Sequence, residues 1–194
     1  MKKMLIAGIL LLPGALVLAQ SNTESAKTEV TVKTGTSLDY DVNSNGQLTP
    51  LTMKIFIPDE GGIGFEFSVG DMTGKFINSR EGLEKGSNTN WDEPYQGEER
   101  KLGPDQTLAI FSKAFLKDLK QNKKAKYDGS LWQLKDLPKG SELILDNKAT
   151  PDAIYMESEN GSTKYWILNN EDYPLMLKVE GNQKGPDLIL KAVH

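Results

Sequence analysis

Hydrophobic residues recur at every second position along most of this chain, in short runs closed by Gly, Pro, Asn or Asp. That period restricts the chain to an architecture built from strands with one buried face. Ile63, Phe65, Phe67 and Val69 alternate with Gly64, Glu66 and Ser68. Val30 and Val32 alternate with Thr and Lys, and Leu38, Tyr40 and Val42 do the same before a polar turn at 43–46. Met53, Ile55 and Ile57 form a third run before Pro58 and Gly61-Gly62, and residues 75–78 add a short one. Residues 153–158 and 163–168 flank Asn160-Gly161, the dipeptide of a type I′ hairpin, in which both central residues take positive φ. The runs at 175–179 and 188–193 show little polar alternation, the pattern of strands covered on both faces. The spacing predicts about eight to eleven strands, mostly antiparallel and joined by hairpins.

One segment carries a helical period instead. Ser112 is a good N-cap, and Phe115, Leu116 and Leu119 form an apolar stripe with Lys113, Lys117, Lys120 and Lys124 opposite. A start after Pro104 would add Leu108 and Phe111 to the stripe. The expected fold is mainly β, of α+β type: a curved antiparallel sheet or half-barrel with one packed amphipathic helix.

The N-terminus reads as an export signal. Lys2 and Lys3 precede an apolar run at residues 5–12, and Val17-Leu18-Ala19 presents small residues to a signal peptidase, so cleavage is expected before Gln20. The run is too short to span a bilayer and Pro13-Gly14 interrupts it, so no transmembrane segment is expected in the mature chain. The organisation is then a signal peptide at 1–19, a polar disordered leader at 20–28 and a single β-rich domain at 29–194. Periplasmic or extracellular localisation in a bacterium follows. The chain has no cysteine, so burial alone must hold the exported domain. With 23 basic against 27 acidic residues it has no global field for nucleic acid.

The inventory of reactive groups is short. The sole histidine is the last residue, His194, and no GxSxG, P-loop or GxGxxG occurs. The common nucleophile–base pairs and the Zn, Cu and haem ligand sets are therefore missing, and neither catalysis, a cofactor nor a metal is expected. Asp92-Glu93 beside Trp91 and Tyr95, with Glu98-Glu99 following, is the material of a glycan-cleaving site, though it also reads as a polar connection between strands. Asp41-Val-Asn43-Ser-Asn45-Gly46 resembles the opening of the calcium loops of EF-hands and dockerin modules. Thr52 stands where a carboxylate should close the shell, so a hairpin turn is expected there. The lysines between Lys113 and Lys126 form a patch that could meet an anionic surface or serve simply as a solvated face. Asn160-Gly-Ser162 matches a glycosylation sequon, but the turn explains it.

Phe111-Ser-Lys-Ala-Phe115, followed by Tyr173-Pro-Leu-Met-Leu-Lys178 and Leu188-Ile-Leu-Lys191, gives an element pattern that resembles the secreted half-barrels of bacterial envelopes. The periplasmic lipoprotein-carrier proteins and several uncharacterised families have this shape. The resemblance spans most of the mature chain and carries over no functional residue. It implies a hydrophobic groove between sheet and helix, lined by Phe111, Phe115 and Leu119, and binding of lipid or another apolar ligand rather than catalysis. Two other classes stand beside it: an envelope structural module that meets a protein partner, and a carboxylate-based glycan-active enzyme. N-terminal sequencing of the exported protein is expected to begin at Gln20. An intact Met1 on a membrane-embedded form would contradict the signal-peptide reading.

Overall fold

A computed structural model describes residues 27–146 and 150–194. The expected signal peptide at 1–19 and residues 20–26 of the expected leader lie outside the described residues. The strands in chain order are β1 (Lys27–Thr28), β2 (Ser37–Ser44), β3 (Gln47–Phe56), β4 (Ile63–Val69) and β5 (Met72–Asn78). Helix α1 (Arg80–Lys85), β6 (Asn88–Thr89), β7 (Glu98–Lys101), β8 (Gln106–Thr107) and helix α2 (Lys113–Asn122) follow. The C-terminal part consists of β9 (Lys124–Tyr127), β10 (Ser130–Lys135), β11 (Thr150–Pro151), β12 (Ala153–Ser158), β13 (Lys164–Leu168), β14 (Met176–Glu180) and β15 (Asp187–Val193).

Eleven of the strands make one sheet, in the order β7-β5-β4-β3-β2-β15-β14-β13-β12-β10-β9. Its neighbours are antiparallel except β5 and β7, which run parallel. The sheet is curved and does not close, as expected of a half-barrel. Among the described residues, no helix is long and apolar enough to cross a membrane.

Register makes the inner face continuous. Directly paired residues share a face, and the pairs Met156–Tyr165, Val179–Leu188, Leu190–Tyr40, Met53–Phe67 and Phe65–Phe76 carry one buried apolar row from strand to strand. The alternate residues are polar, such as Glu66 and Lys75, which pair at 2.9 Å on the outside. Part of the outer face is also covered. Trp166, on β13, donates from Nε1 to Ser141 O at 2.9 Å, and Leu143 and Leu145 are buried there. β13 is thus nearly buried throughout. β15 instead alternates, with Leu188 and Leu190 inward and Lys191 exposed, so the run expected to be covered on both faces is one-sided.

Local chemistry corrects several expectations. Asn45-Gly46 and Asp128-Gly129 each place two successive residues at positive φ, 52° and 87° and then 54° and 75°, the geometry of a type I′ turn. At Asn160-Gly161 only the glycine does, at 70°. Asn160 uses its side chain instead: Oδ1 accepts from Ser158 Oγ and from Ser162 N and Oγ, which closes the turn without a left-handed Asn. Residues 30–32 form no strand, and Val30 is buried from a loop. Two residues of the expected leader form β1, which lies parallel to β11, and Lys27 pairs with Asp152 at 2.6 Å. The six-residue α1 has a single large apolar side chain, Leu83, too little for a period to show in the sequence.

Helix α2 starts at Lys113, with Ser112 Oγ accepting from Phe115 N at 3.3 Å. Leu108 and Phe111 precede it, and Phe111 N bonds Pro174 O at 3.0 Å. The helix packs on β9 and β10 and buries Phe115 and Leu119 in the core, while Leu116 is buried beside Lys113 and Lys117. Phe111 stacks on Phe115 at 5.2 Å and meets the edges of Tyr127 at 5.1 Å and Tyr165 at 5.2 Å. Each such pair adds roughly 0.5–1.5 kcal/mol beyond burial. Burial pushes the Tyr127 and Tyr165 hydroxyls well above the ordinary phenol range. Phe115→Ala is expected to cost about 3–5 kcal/mol in denaturant unfolding. Lys117→Glu is expected to stay within about 0.5 kcal/mol, as at an ordinary surface site. A near-neutral Phe115→Ala would show that the cluster is loosely packed.

Candidate functional site

Helix α2 covers only the β9–β10 end of the inner face. Over β2 to β5 the same apolar row is roofed by connecting segments, which leave a cleft of about 350 Å³. Its floor is Val42, Leu51, Met53, Phe67 and Phe76, with Leu188 beside them. Phe67 and Phe76 stack at 4.8 Å, so the floor is rigid and aromatic. The roof comes from residues 89–94 and from Leu108 and Ala109.

Two inward-facing polar clusters hold the roof. Asn78, at the end of β5, is fully buried. Its Oδ1 accepts from Leu108 N at 2.7 Å, and its Nδ2 donates to Leu108 O and Ile63 O at 3.3 and 3.2 Å. Beyond this anchor Ala109 sits at φ 60°, a left-handed conformation that costs an alanine roughly 1–2 kcal/mol. Met176 N bonds Ala109 O at 2.9 Å, so the strained residue is fixed from both sides.

The second cluster centres on Arg100, which projects inward from β7 opposite Phe76 and lies 5.3 Å over its ring. Its Nε donates to Glu98 Oε1 at 2.5 Å, and its Nη1 to Asn90 Oδ1 at 3.0 Å and Asp92 O at 3.3 Å. Nη2 reaches Glu93 O at 3.1 Å, and the other Glu98 oxygen accepts from Tyr95 N at 3.2 Å. Glu98 is only 3% exposed, so both charges work in a low-dielectric setting where they are tightly coupled. Together they strap residues 90–95 across the end of the sheet.

Trp91 lies in that strap. Its ring rests against Gly185, where even a Cβ would come within 2.5 Å of it. Its Nε1 is buried with no hydrogen-bond partner, the one such side-chain donor or acceptor among the described residues. An unmet buried donor costs about 1–3 kcal/mol.

The residues singled out in the sequence distribute as follows. Phe111, Phe115 and Leu119 are core side chains under α2 and do not line the cleft. The space expected as a groove there is filled by their own rings with Tyr127 and Tyr165. Asp92 and Glu98 converge on Arg100, whereas Glu99 is exposed. In the calcium-like stretch, Asn43 Oδ1 accepts from Gly46 N at 2.8 Å, and Thr52 donates to Asp39 at 2.8 Å. Part of the lysine patch is neutralised: Lys113 pairs with Glu84 and Asp172, and Lys120 with Glu171. The Glu84 hydrogen bond leads in raising the Lys113 pKa.

A larger depression of about 560 Å³ lies among the β9–β10, β12–β13 and β14–β15 turns. Its polar groups bond one another, as Asn182 does with Pro186 O and Lys184 N. The apolar cleft is the more distinctive site, because its floor is a continuous apolar surface with the stacked rings of Phe67 and Phe76. Neither Arg100 nor Asn78 stood out in the sequence, since their roles depend on segments distant in the chain.

No family model, curated protein or solved structure matches the chain.

Arg100→Met is expected to destabilise by about 3 kcal/mol or more, because it strands the buried Glu98 carboxylate. Adding Glu98→Gln is expected to restore part of that loss. A double-mutant cycle in urea should show coupling of roughly 0.5–3 kcal/mol, and strict additivity would mean that the two side chains do not act as one clamp.

Proposed function

We propose that this chain is an exported, non-enzymatic binding protein of the bacterial envelope or its surroundings, which holds an apolar ligand in the cleft beneath Trp91. The observation that carries this reading is an apolar cleft of about 350 Å³, floored by Met53, Phe67 and Phe76 and roofed by a clamped strap. Ligand sites are typically concave and mostly apolar, roughly 300–1,000 Å³ in volume, with few polar groups to fix orientation. Leaving apolar wall open to water forgoes about 25 cal/mol per Å², so an open apolar cleft beside a closed core is a stability cost that a ligand would offset. The aromatic rings under α2 pack closely at the other end of the same core, so the fold does not depend on filling the cleft. The export signal at the N-terminus agrees with a carrier or receptor that works outside the cytoplasm.

Native mass spectrometry of protein purified from its own host, together with a cleft-filling variant, tests the reading. Val42 lines the cleft from β2, where an aromatic side chain suits a strand, so Val42→Trp should fill the space while preserving the fold. The parent is expected to retain an apolar small molecule and the variant to lose it. A parent that carries no such molecule, and whose melting temperature ignores an added lipid extract, would contradict the proposal.

A further inference from the structure

We propose that the depression at the turn end of the sheet is a second binding site, which takes a neutral polyhydroxyl ligand such as a sugar ring, with the Tyr165 hydroxyl at its base. The proposal is independent of the apolar cleft and of what the cleft holds. The depression has a volume of about 560 Å³ among the β9–β10, β12–β13 and β14–β15 turns, within the roughly 300–1,000 Å³ usual for small-ligand sites.

Tyr165 carries the argument. The other buried tyrosines all pair their hydroxyls within the protein: Tyr40 with Met176 O, Tyr127 with Thr107 and Tyr155 with Glu157. Tyr165 is 4% exposed, yet its hydroxyl has no partner among the described residues. That hydroxyl is not sealed from solvent, because among the described residues Trp91 Nε1 is the only unpaired side-chain donor or acceptor that is fully enclosed. Tyr165 lines the depression, so the hydroxyl opens into it. The ring is held by Trp132 at 4.9 Å and Phe111 at 5.2 Å, which fixes where the hydroxyl sits. Burial keeps it protonated, able both to donate and to accept.

The wall around it is pre-formed. Ser158 Oγ donates to Asn160 Oδ1 at 2.7 Å and accepts from Thr163 N at 3.0 Å, and Thr163 Oγ1 donates to Gly181 O at 2.9 Å. Lys184 reaches across from the β14–β15 turn to Asp128 at 3.0 Å. These bonds leave over the Ser130 hydroxyl, the Asn160 amide N–H groups and the Gln183 amide oxygen in the same lining. That is a mixture of donors and acceptors, and each hydroxyl of a sugar is both. An apolar ligand would strip water from these groups and replace none of their hydrogen bonds.

The charges favour a neutral ligand. An anion finds the only lining cation, Lys184, already held by Asp128. A cation finds Asp128 committed in turn, and the remaining carboxylate, Glu159, lies exposed where salt screens it.

NMR chemical-shift titration of the protein compares glucose, N-acetylglucosamine and cyclohexanol, a ring with a single hydroxyl. At least one sugar is expected to bind with a dissociation constant of roughly 10⁻² M or tighter, shifting amides in the three turns, and cyclohexanol at least about tenfold more weakly. Tyr165→Phe keeps the ring and removes only the unpaired hydroxyl. Its melting temperature is expected to stay within about 2 °C of the parent's, while its affinity for the sugar falls about three- to tenfold, the worth of one hydrogen bond. A larger drop in melting temperature would show that the hydroxyl is paired inside the protein and would overturn the proposal. Failure of both sugars to bind, shifts centred away from the turns, cyclohexanol binding as tightly, or an unchanged affinity in Tyr165→Phe would each overturn it as well.

Discussion

The inner face of the sheet is far longer than the helix available to cover it. Eleven strands at about 4.8 Å spacing span on the order of 48 Å, whereas the ten residues of α2 extend about 15 Å. The helix, with Phe111 and the rings of Tyr127 and Tyr165, closes one end of that face. Everything over β2 to β5 must be covered by loops, and loops pack less completely than helices. The cleft follows from this mismatch between one continuous apolar row and one short helix.

Loops that roof an apolar surface need their backbone groups satisfied by side chains. This explains polar residues at inward positions that alternation alone would assign to apolar ones. Asn78 takes both backbone groups of Leu108, and Arg100 takes the carbonyls of Asp92 and Glu93 while Glu98 balances its charge. The same pair puts inward-pointing charges on β7, an edge strand of the sheet, where they oppose further strand pairing. Desolvating them is costly, and their return is a strap held over the cleft with Trp91 in place.

A strand is legible where apolar residues alternate over a long run, because a period of two is local: residues 63–69 announce β4 directly, whereas β9 and β10, with only Ala125, Tyr127 and Trp132 buried, carry too short a pattern, and Lys124 lies in β9 rather than on the helix. Ser112 likewise announced the start of α2 through its cap. At Asn160-Gly161 the dipeptide points to a type I′ turn, but the side chain of Asn160 performs the closure that positive φ would otherwise provide. The stripe of Phe115 and Leu119 looks the same in sequence whether it meets a packed core or an open groove, and its neighbours Tyr127 and Tyr165 lie on separate strands. The cleft left no local trace. It depends on the parallel pairing that sets Arg100 opposite Phe76 and on Asn78 reaching Leu108, thirty residues away.

The central claim is that ligand enters beneath the Trp91 strap and not beneath α2. Hydrogen exchange of the protein, measured with and without the added lipid extract, tests it directly. Slowed exchange confined to the strap around Trp91 and to Leu108 and Ala109, with α2 unchanged, is the predicted result. Protection centred on α2 and Phe111, with the strap unaffected, would contradict the account.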